Sequence, residues 1–311
     1  MKKRSAQSMR LLLSISLFGV FIALSAALTS KGAQAATLVV DDDGQATALN
    51  CDASGAAFST IQLAVNAAAS GDTIQICPGT YDEQLVVTKS SLTIRGAGAE
   101  LTVVRPTVVN QNSTNMFGNP VAPIVLVDGT ADLILANLTL DGSSADSGAT
   151  IVPPCPVLPF YVGVFYRNSS ATFHTAHITG ITSTTSCAFA IRAEGSQIVV
   201  KKSLLDHYGV SAIACAGSDT RCTVTGNTIR GQGPVNNQTQ AGIQIRSRAA
   251  GKISGNVISD HVFIGAKGVP QSSVGIFLVY ATPSSNPHLI QENVFVNNQV
   301  NVQRIGSAAA F

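Results

Sequence analysis

The six residues Val224 to Ile229, "VTGNTI", return downstream as "ISGNVI" (Ile253–Ile258) and "IQENVF" (Ile290–Phe295). Each has an apolar residue, two spacers, an asparagine, one further residue and a second apolar residue. The frame continues upstream with Ser203 in "VKKSLL" and Ala176 in "FHTAHI" at the asparagine position. Frames start at residues 173, 200, 224, 253 and 290, so they lie 24 to 37 residues apart. That spacing belongs to solenoids, in which each repeat is one coil resting on its neighbours.

A second frame precedes the first in each repeat: a small residue, then alternating inward and outward positions. It reads Gly163-Val164-Phe165-Tyr166, Ala190-Ile191-Arg192-Ala193, Ala212-Ile213-Ala214-Cys215, Gly242-Ile243-Gln244-Ile245 and Gly275-Ile276-Phe277-Leu278. Every repeat thus supplies three short strands. Asparagine suits the turn between two of them because it tolerates a left-handed backbone and bonds to nearby backbone groups. Asn227, Asn256 and Asn293 are expected to stack in a ladder one strand spacing apart, each amide bonding the next.

Nearer the start, "GDTIQICPGTYDEQLVVTKSSLTIRGAG" (Gly71–Gly98) holds three β-rich runs broken by Pro-Gly and Lys-Ser-Ser turns. Before it, "STIQLAVNAAA" (Ser59–Ala69) sets Ile61, Val65 and Ala68 on one helical face, a cap for the first coil. Together with the asparagine repeats, this region resembles the right-handed parallel β-helix proteins of the pectin lyase-like superfamily. The resemblance implies an all-β fold, a single-stranded right-handed parallel β-helix over residues 36–311 with a short N-terminal helical cap. It does not select an activity, because that superfamily holds lyases, hydrolases, esterases, epimerases and non-catalytic members.

Residues 1–35 read as a signal peptide: basic "MKKR", an apolar run from Leu11 to Leu28, and Ala33-Gln34-Ala35 as a small-x-small cleavage site. The competing reading is an uncleaved anchor, against which stand Ser14, Ser16, Ser25 and the cleavage site itself. A secreted, periplasmic or cell-surface protein is expected, with no stable membrane insertion once the signal is cleaved. The leader carries five of the nineteen basic residues and no acid, so the rest holds fourteen against seventeen acidic ones, near −3. Nucleic acid is excluded as a partner, since it calls for a clustered basic face. The six cysteines (Cys51, Cys77, Cys155, Cys187, Cys215, Cys222) all follow the leader and contain no C-x-x-C pair, so disulfides are expected, Cys215–Cys222 among them.

In the superfamily the substrate groove commonly runs along the outer face of one parallel sheet. Alternation turns Phe165, Arg192, Ala214, Gln244 and Phe277 outward in one row, and Arg167, Glu194, Arg246 and Val279 in a second. Arg167, Arg192, Gln244 and Arg246 are the candidate substrate-binding residues, suited to the carboxylates of an anionic, uronate-type glycan; the alternative is solvated surface arginine. Asp206-His207 and Asp260-His261 are expected on loops leading into strands of the arginine-bearing sheet and are the candidate catalytic acids and bases, or else ordinary turn residues. Phe165, Phe277 and Tyr280 stand in for the missing tryptophan as sugar-stacking residues.

No metal site is read. His174 and His177 are three apart, which on a strand or turn puts them on opposite faces, and "DDD" (Asp41–Asp43) reads as a solvated loop. No cofactor is named. The aspartate clusters of polygalacturonases, the pectin methylesterase signatures and the acidic calcium cluster of pectate lyases are not seen. Three functions remain: a polysaccharide lyase or hydrolase, a non-catalytic β-helix binding glycan or a cell-surface partner, and an export-compartment accessory protein similar to the copper-related β-helix proteins of nitrous oxide reductase maturation. The last is disfavoured by few methionines and scattered histidines.

Overall fold

A computed structural model describes residues 34–47, 50–144, 158–183, 187–265, 272–279 and 289–306. The leader but for its last two residues, Cys155 and Tyr280 lie outside the described residues. The described residues from Ala35 onward belong to one unit, a right-handed parallel β-helix. Each coil passes through three sheets in turn. Sheet 1 has nine strands, from Thr37–Val40 to Leu289–Gln291, and sheet 2 has eight, from Gly79–Tyr81 to Val294–Val296. Sheet 3 also has nine, of which eight run parallel from Leu85–Val87 to Val300–Ile305. The ninth, Ser113–Thr114, pairs antiparallel with Pro120–Asp128.

Coil-on-coil register turns sequence period into interior columns. Val200, Val224, Ile253 and Ile290 are direct neighbours in sheet 1. Ile229, Ile258 and Phe295 line up in sheet 2, and Val164, Ile191, Ile213, Ile243 and Ile276 in sheet 3. The columns expected from the repeat frames are all present. The small residue that opens the sheet 3 frame has a steric cause: a β-carbon on Gly163 would lie 2.5 Å from the Ala190 carbonyl oxygen.

The asparagine ladder forms with one correction. Asn227 Nδ2 donates to Asn256 Oδ1, and Asn256 Nδ2 to Asn293 Oδ1, both at 2.9 Å. Ser203 N continues the line by donating to Asn227 Oδ1 at 3.0 Å. The left-handed residue, however, is the one before the asparagine: Gly226 (φ 64°), Gly255 (φ 64°) and Glu292 (φ 56°). Putting the strain there frees each asparagine side chain to point inward and reach its neighbour.

The capping helix spans Ile61–Ala67, begins at Thr60, whose side chain accepts from Leu63 N, and buries Ile61, Ala64 and Val65. Glu83 accepts from Ile61 N (2.7 Å) and Gln62 N (2.9 Å), two donors with no partner inside the helix. Disulfides join Cys51 to Cys77 and Cys215 to Cys222, the second as expected. Cys187 is also disulfide-bonded. Among the described residues no helix is long and apolar enough to cross a membrane.

Candidate functional site

The turns from sheet 3 to sheet 1 share a local frame: Asp128-Gly129-Thr130, Arg167-Asn168-Ser169, Glu194-Gly195-Ser196. The middle residue is left-handed each time, at φ 65°, 49° and 60°. The hydroxyl that follows builds a second ladder, with Ser169 Oγ accepting from Thr130 N (3.2 Å) and Ser196 Oγ from Ser169 N (3.1 Å). Each serine then donates to the carbonyl two residues back, Ser169 to Arg167 and Ser196 to Glu194. This ladder stacks the residues before each turn, all but Ala216 charged: Asp128, Arg167, Glu194, Ala216 and Arg246 are successive register partners.

Over these turns lies the segment 113–119. Asn115 Oδ1 accepts from Phe117 N and Asn119 N, closing the segment into a tight loop, and Met116 N donates to Glu194 Oε2 at 2.6 Å. Between segment and turns is a cavity of about 280 Å³, lined by Asn115, Met116, Arg167, Asn168, Glu194 and Asp219 among others. Phe117, next in the chain to Met116, is exposed.

Most charges around this cleft are matched. Arg167 forks onto Asp128, which raises its pKa further. Arg192, 3% exposed, binds Glu194 Oε1 through Nε (2.7 Å) and Nη2 (2.6 Å). Its guanidinium also sits 5.3 and 5.2 Å from the ring centres of Phe160 and Phe189. Some donors are left over: among the described residues Asn115 Nδ2 is buried without a hydrogen-bond partner, as are the Ser113 and Thr130 hydroxyls and, one coil beyond the cleft, Arg246 Nε. Burial holds the Arg246 pKa down, Arg192 adding to the effect and Glu194 opposing it.

The expected arginine groove is therefore corrected in form. Arg192 and Gln244 are buried, and Phe165, expected as a stacking surface, is fully enclosed in a second apolar cluster with Leu126, Phe160 and Phe189 on the outer side of sheet 3. Of the four candidates only Arg167 lines the cleft, and Arg246 is half-buried in the same row, one coil past Ala216. The cause is coverage: parity decides which way a side chain points, not what lies over it.

The Asp-His pairs are likewise redistributed. Asp206 is buried, and its Oδ1 contacts both His177 Nε2 (3.0 Å) and His207 Nδ1 (3.2 Å). Burial pushes its pKa up, but hydrogen bonds from His177, Thr179 and His207 outweigh this and hold it well below the usual carboxylate range. His177 is not among the expected acids and bases, and its partnership with Asp206, 29 residues away, arises from coil stacking. Asp260 and His261 are not in a loop but inside the strand Val257–Phe263. Asp260 is left-handed (φ 62°) and bonds Ser259 and Asn297. His261 is fully buried between Tyr208 Oη (2.5 Å from Nε2) and Asn298 Oδ1 (2.7 Å from Nδ1). Asp206 and His207 precede the strand Ser211–Ala216, whereas the cleft lies beyond its end, about 20 Å away at 3.3 Å per residue. The structure does not bring these acids and bases to the arginine end of the sheet.

The family whose model matches residues 66–309 is described as periplasmic copper-binding protein (NosD). The chain belongs to this family. No curated protein matches it. Among solved structures it is similar to a pectin methylesterase in complex with a hexasaccharide, at 15% identity and a TM-score of 0.48, covering 85% of this chain and 80% of that one. It is also similar to the carrot pectin methylesterase (15%, 0.45, 87% and 88%) and to the A-module of the Azotobacter vinelandii mannuronan C-5 epimerase AlgE6 (17%, 0.42, 78% and 63%).

The NosD description raises copper, and the donors present do not fit it. Among the described residues no group of three or more histidine, cysteine, aspartate or glutamate side chains is arranged to hold a metal ion, and no cysteine is free. Met116 is the one methionine after the leader. His177 and His207 meet only through the carboxylate that both already hydrogen-bond.

Proposed function

We propose that this member of the NosD family is an exported polysaccharide-binding β-helix whose glycan site is the cleft between the segment 113–119 and the sheet 3–sheet 1 turns. The observation that carries the reading is Asn115 Nδ2, a buried donor without a hydrogen-bond partner among the described residues, in the loop that lines the cleft. Leaving such a group unsatisfied costs about 1 to 3 kcal/mol, so a hydroxyl-rich ligand that accepts from it regains that free energy on binding. The exposed ring of Phe117 at the border suits stacking on a sugar face.

Binding rather than cleavage is favoured by the state of the acids. Glu194 and Asp128 are each held by an arginine, and Asp206 is kept ionised by two histidines. A general acid at neutral pH needs a carboxyl with a raised pKa, and that of Asp206 is held down instead. The arginines of this region are also balanced by acids: Arg167, Arg192 and Arg246 stand against Asp128, Glu194 and Asp219. The cleft thus suits neutral sugar units at least as well as the uronate units expected from the arginine count.

The test is Asn115→Asp, which keeps the acceptor that closes the loop, removes the donor and adds a negative charge, so the neutral oligosaccharides decide the comparison. Calorimetric titration against a panel of neutral and acidic oligosaccharides is expected to find a ligand for the parent and a tenfold to hundredfold weaker one for the variant. Equal affinity in both proteins refutes the cleft. Release of reducing ends or of an unsaturated, ultraviolet-absorbing product during the titration establishes an enzyme instead.

A further inference from the structure

The outer face of sheet 1 lies one turn away from the cleft and differs from it in charge. Arg95, Ala136, His174, Lys201, Thr225 and Ser254 follow one another in register across six strands. The neighbouring outward column runs Thr93, Ile134, Thr172, Val199, Thr223, Lys252, and Arg221 stands in the next. Lys202 follows Lys201 at the turn. Arg95, Lys202, Arg221 and Lys252 are exposed and Lys201 is half-exposed. None of the five takes part in any ion pair among the described residues, whereas Arg105, Arg167 and Arg192 each have a carboxylate.

These five cations are more than a third of the fourteen basic residues after the leader, in a chain that is net acidic there. The carboxylates on or beside the face are Asp132 and Glu292. His174 reports the crowding: burial, then Lys201, Arg95 and Lys202, hold its pKa below that of ordinary histidine. Six strands span five intervals, about 24 Å along the solenoid axis. In the middle of that length is a trough of about 540 Å³, floored by Ile134, Thr172, Val199 and Thr223 and bordered by Gln197 and Arg221.

We propose that the outer face of sheet 1 is a second interaction surface, a track for an extended acidic polysaccharide lying along the solenoid axis with its anionic groups against Arg95, Lys201, Lys202, Arg221 and Lys252. Three observations select this occupant. The charge is repeated along a line rather than gathered at one point, which matches a polymer and not a small anion. The trough is a channel floored by small and β-branched side chains, which admits a ribbon of sugar rings. A membrane-docking face would carry apolar anchors, and of the exposed large apolar residues only Leu289 belongs to this sheet. Because the cations are exposed, the attraction is long-ranged, screened by salt and largely indifferent to the identity of the sugar. The surface does not depend on the cleft reading, since no residue is shared between them.

The experiment measures affinity of the full exported chain for polyuronate, for a neutral glucan and for vesicles containing phosphatidylglycerol, at low and high salt. The parent is expected to bind polyuronate at low salt, to lose that binding with added salt, and to leave the vesicles unbound. Arg95→Glu with Lys201→Glu and Lys252→Glu is expected to weaken polyuronate binding by about thirtyfold, because three exposed attractive contacts become repulsive. The milder Arg95→Gln with Lys201→Gln and Lys252→Gln gives a smaller loss in the same direction, with unfolding curves checking that both variants fold. Asn115→Asp is expected to bind polyuronate through this face as the parent does, which separates failure of the track from failure of the cleft. The proposal is overturned if the triple variants bind polyuronate like the parent, if the parent does not bind it, or if anionic vesicles are bound in its place.

Discussion

His261 is a buried base whose charge state should be readable in the stability of the whole protein. Asn298 Nδ2 donates to the Ile258 carbonyl, so its Oδ1 faces the ring and accepts from Nδ1–H. That leaves Nε2 unprotonated, to accept from the Tyr208 hydroxyl. The backbone makes room: a β-carbon on Gly242 or Gly231 would stand 3.2 Å from the ring. Burial disfavours the imidazolium and lowers the pKa from 6.5 to about 4, with Asn298 and Asp260 only partly opposing. A second proton has no acceptor, because the tyrosine oxygen would have to turn its own hydrogen elsewhere. The folded pKa lies below the unfolded one, so between these values the unfolded chain binds more protons, and stability falls as pH drops from 6.5 towards 4. The gap between 6.5 and about 4 corresponds to about 3 kcal/mol, about three quarters of it lost by about pH 4.5.

Other groups titrate in the same range with opposite sign. Asp41 has its pKa pushed up to about 6, by burial first and Asp43 next, and so gains stability on acidification. The difference between parent and His261→Gln cancels that contribution, the two sites being separate. Urea unfolding of both proteins at about pH 7.5 and about pH 4.5 is the assay. The parent's advantage over the variant should shrink by about 2 to 3 kcal/mol on acidification. A parent–variant difference that stays constant to within about 0.5 kcal/mol means His261 titrates like a solvated histidine, and the enclosed Tyr208–His261–Asn298 network is wrong.

Two further outcomes are expected. Asn256→Ala removes the middle of the ladder, strands the Asn227 amide and leaves the Val224 carbonyl without its side-chain donor; it should cost about 2 to 3 kcal/mol in thermal or urea unfolding. Arg192→Ala leaves Glu194 buried without its cation and should cost about 3 to 5 kcal/mol, far more than the near-zero effect of removing a surface arginine, whereas Arg192→Ala combined with Glu194→Gln recovers part of that loss in the same unfolding assay.

The sequence by itself determined the solenoid. Register between coils follows from which residues are apolar at fixed offsets from a turn, and that is a local property repeated many times. The columns through Ile253, Ile258 and Ile243, the asparagine ladder and the Cys215–Cys222 loop could therefore be read in advance. The serine and threonine ladder at the other turn was also legible, in Asp-Gly-Thr, Arg-Asn-Ser and Glu-Gly-Ser, but only once the sheet 3 strands were known to end there. Tertiary structure alone decided which outward residues meet solvent. Alternation placed Arg192 on the outer face correctly, yet whether that face is open depends on what covers it and on which acid is brought beside the guanidinium. The same holds for His261, whose neighbour Asp260 is left-handed and so turns the imidazole into the core, against Tyr208 from 53 residues earlier. It holds equally for Asn115, whose stranded amide exists only because a loop from one coil lies over the turns of three others. Period and parity are encoded along the chain, but coverage and pairing come from contacts between distant coils, which no local pattern records.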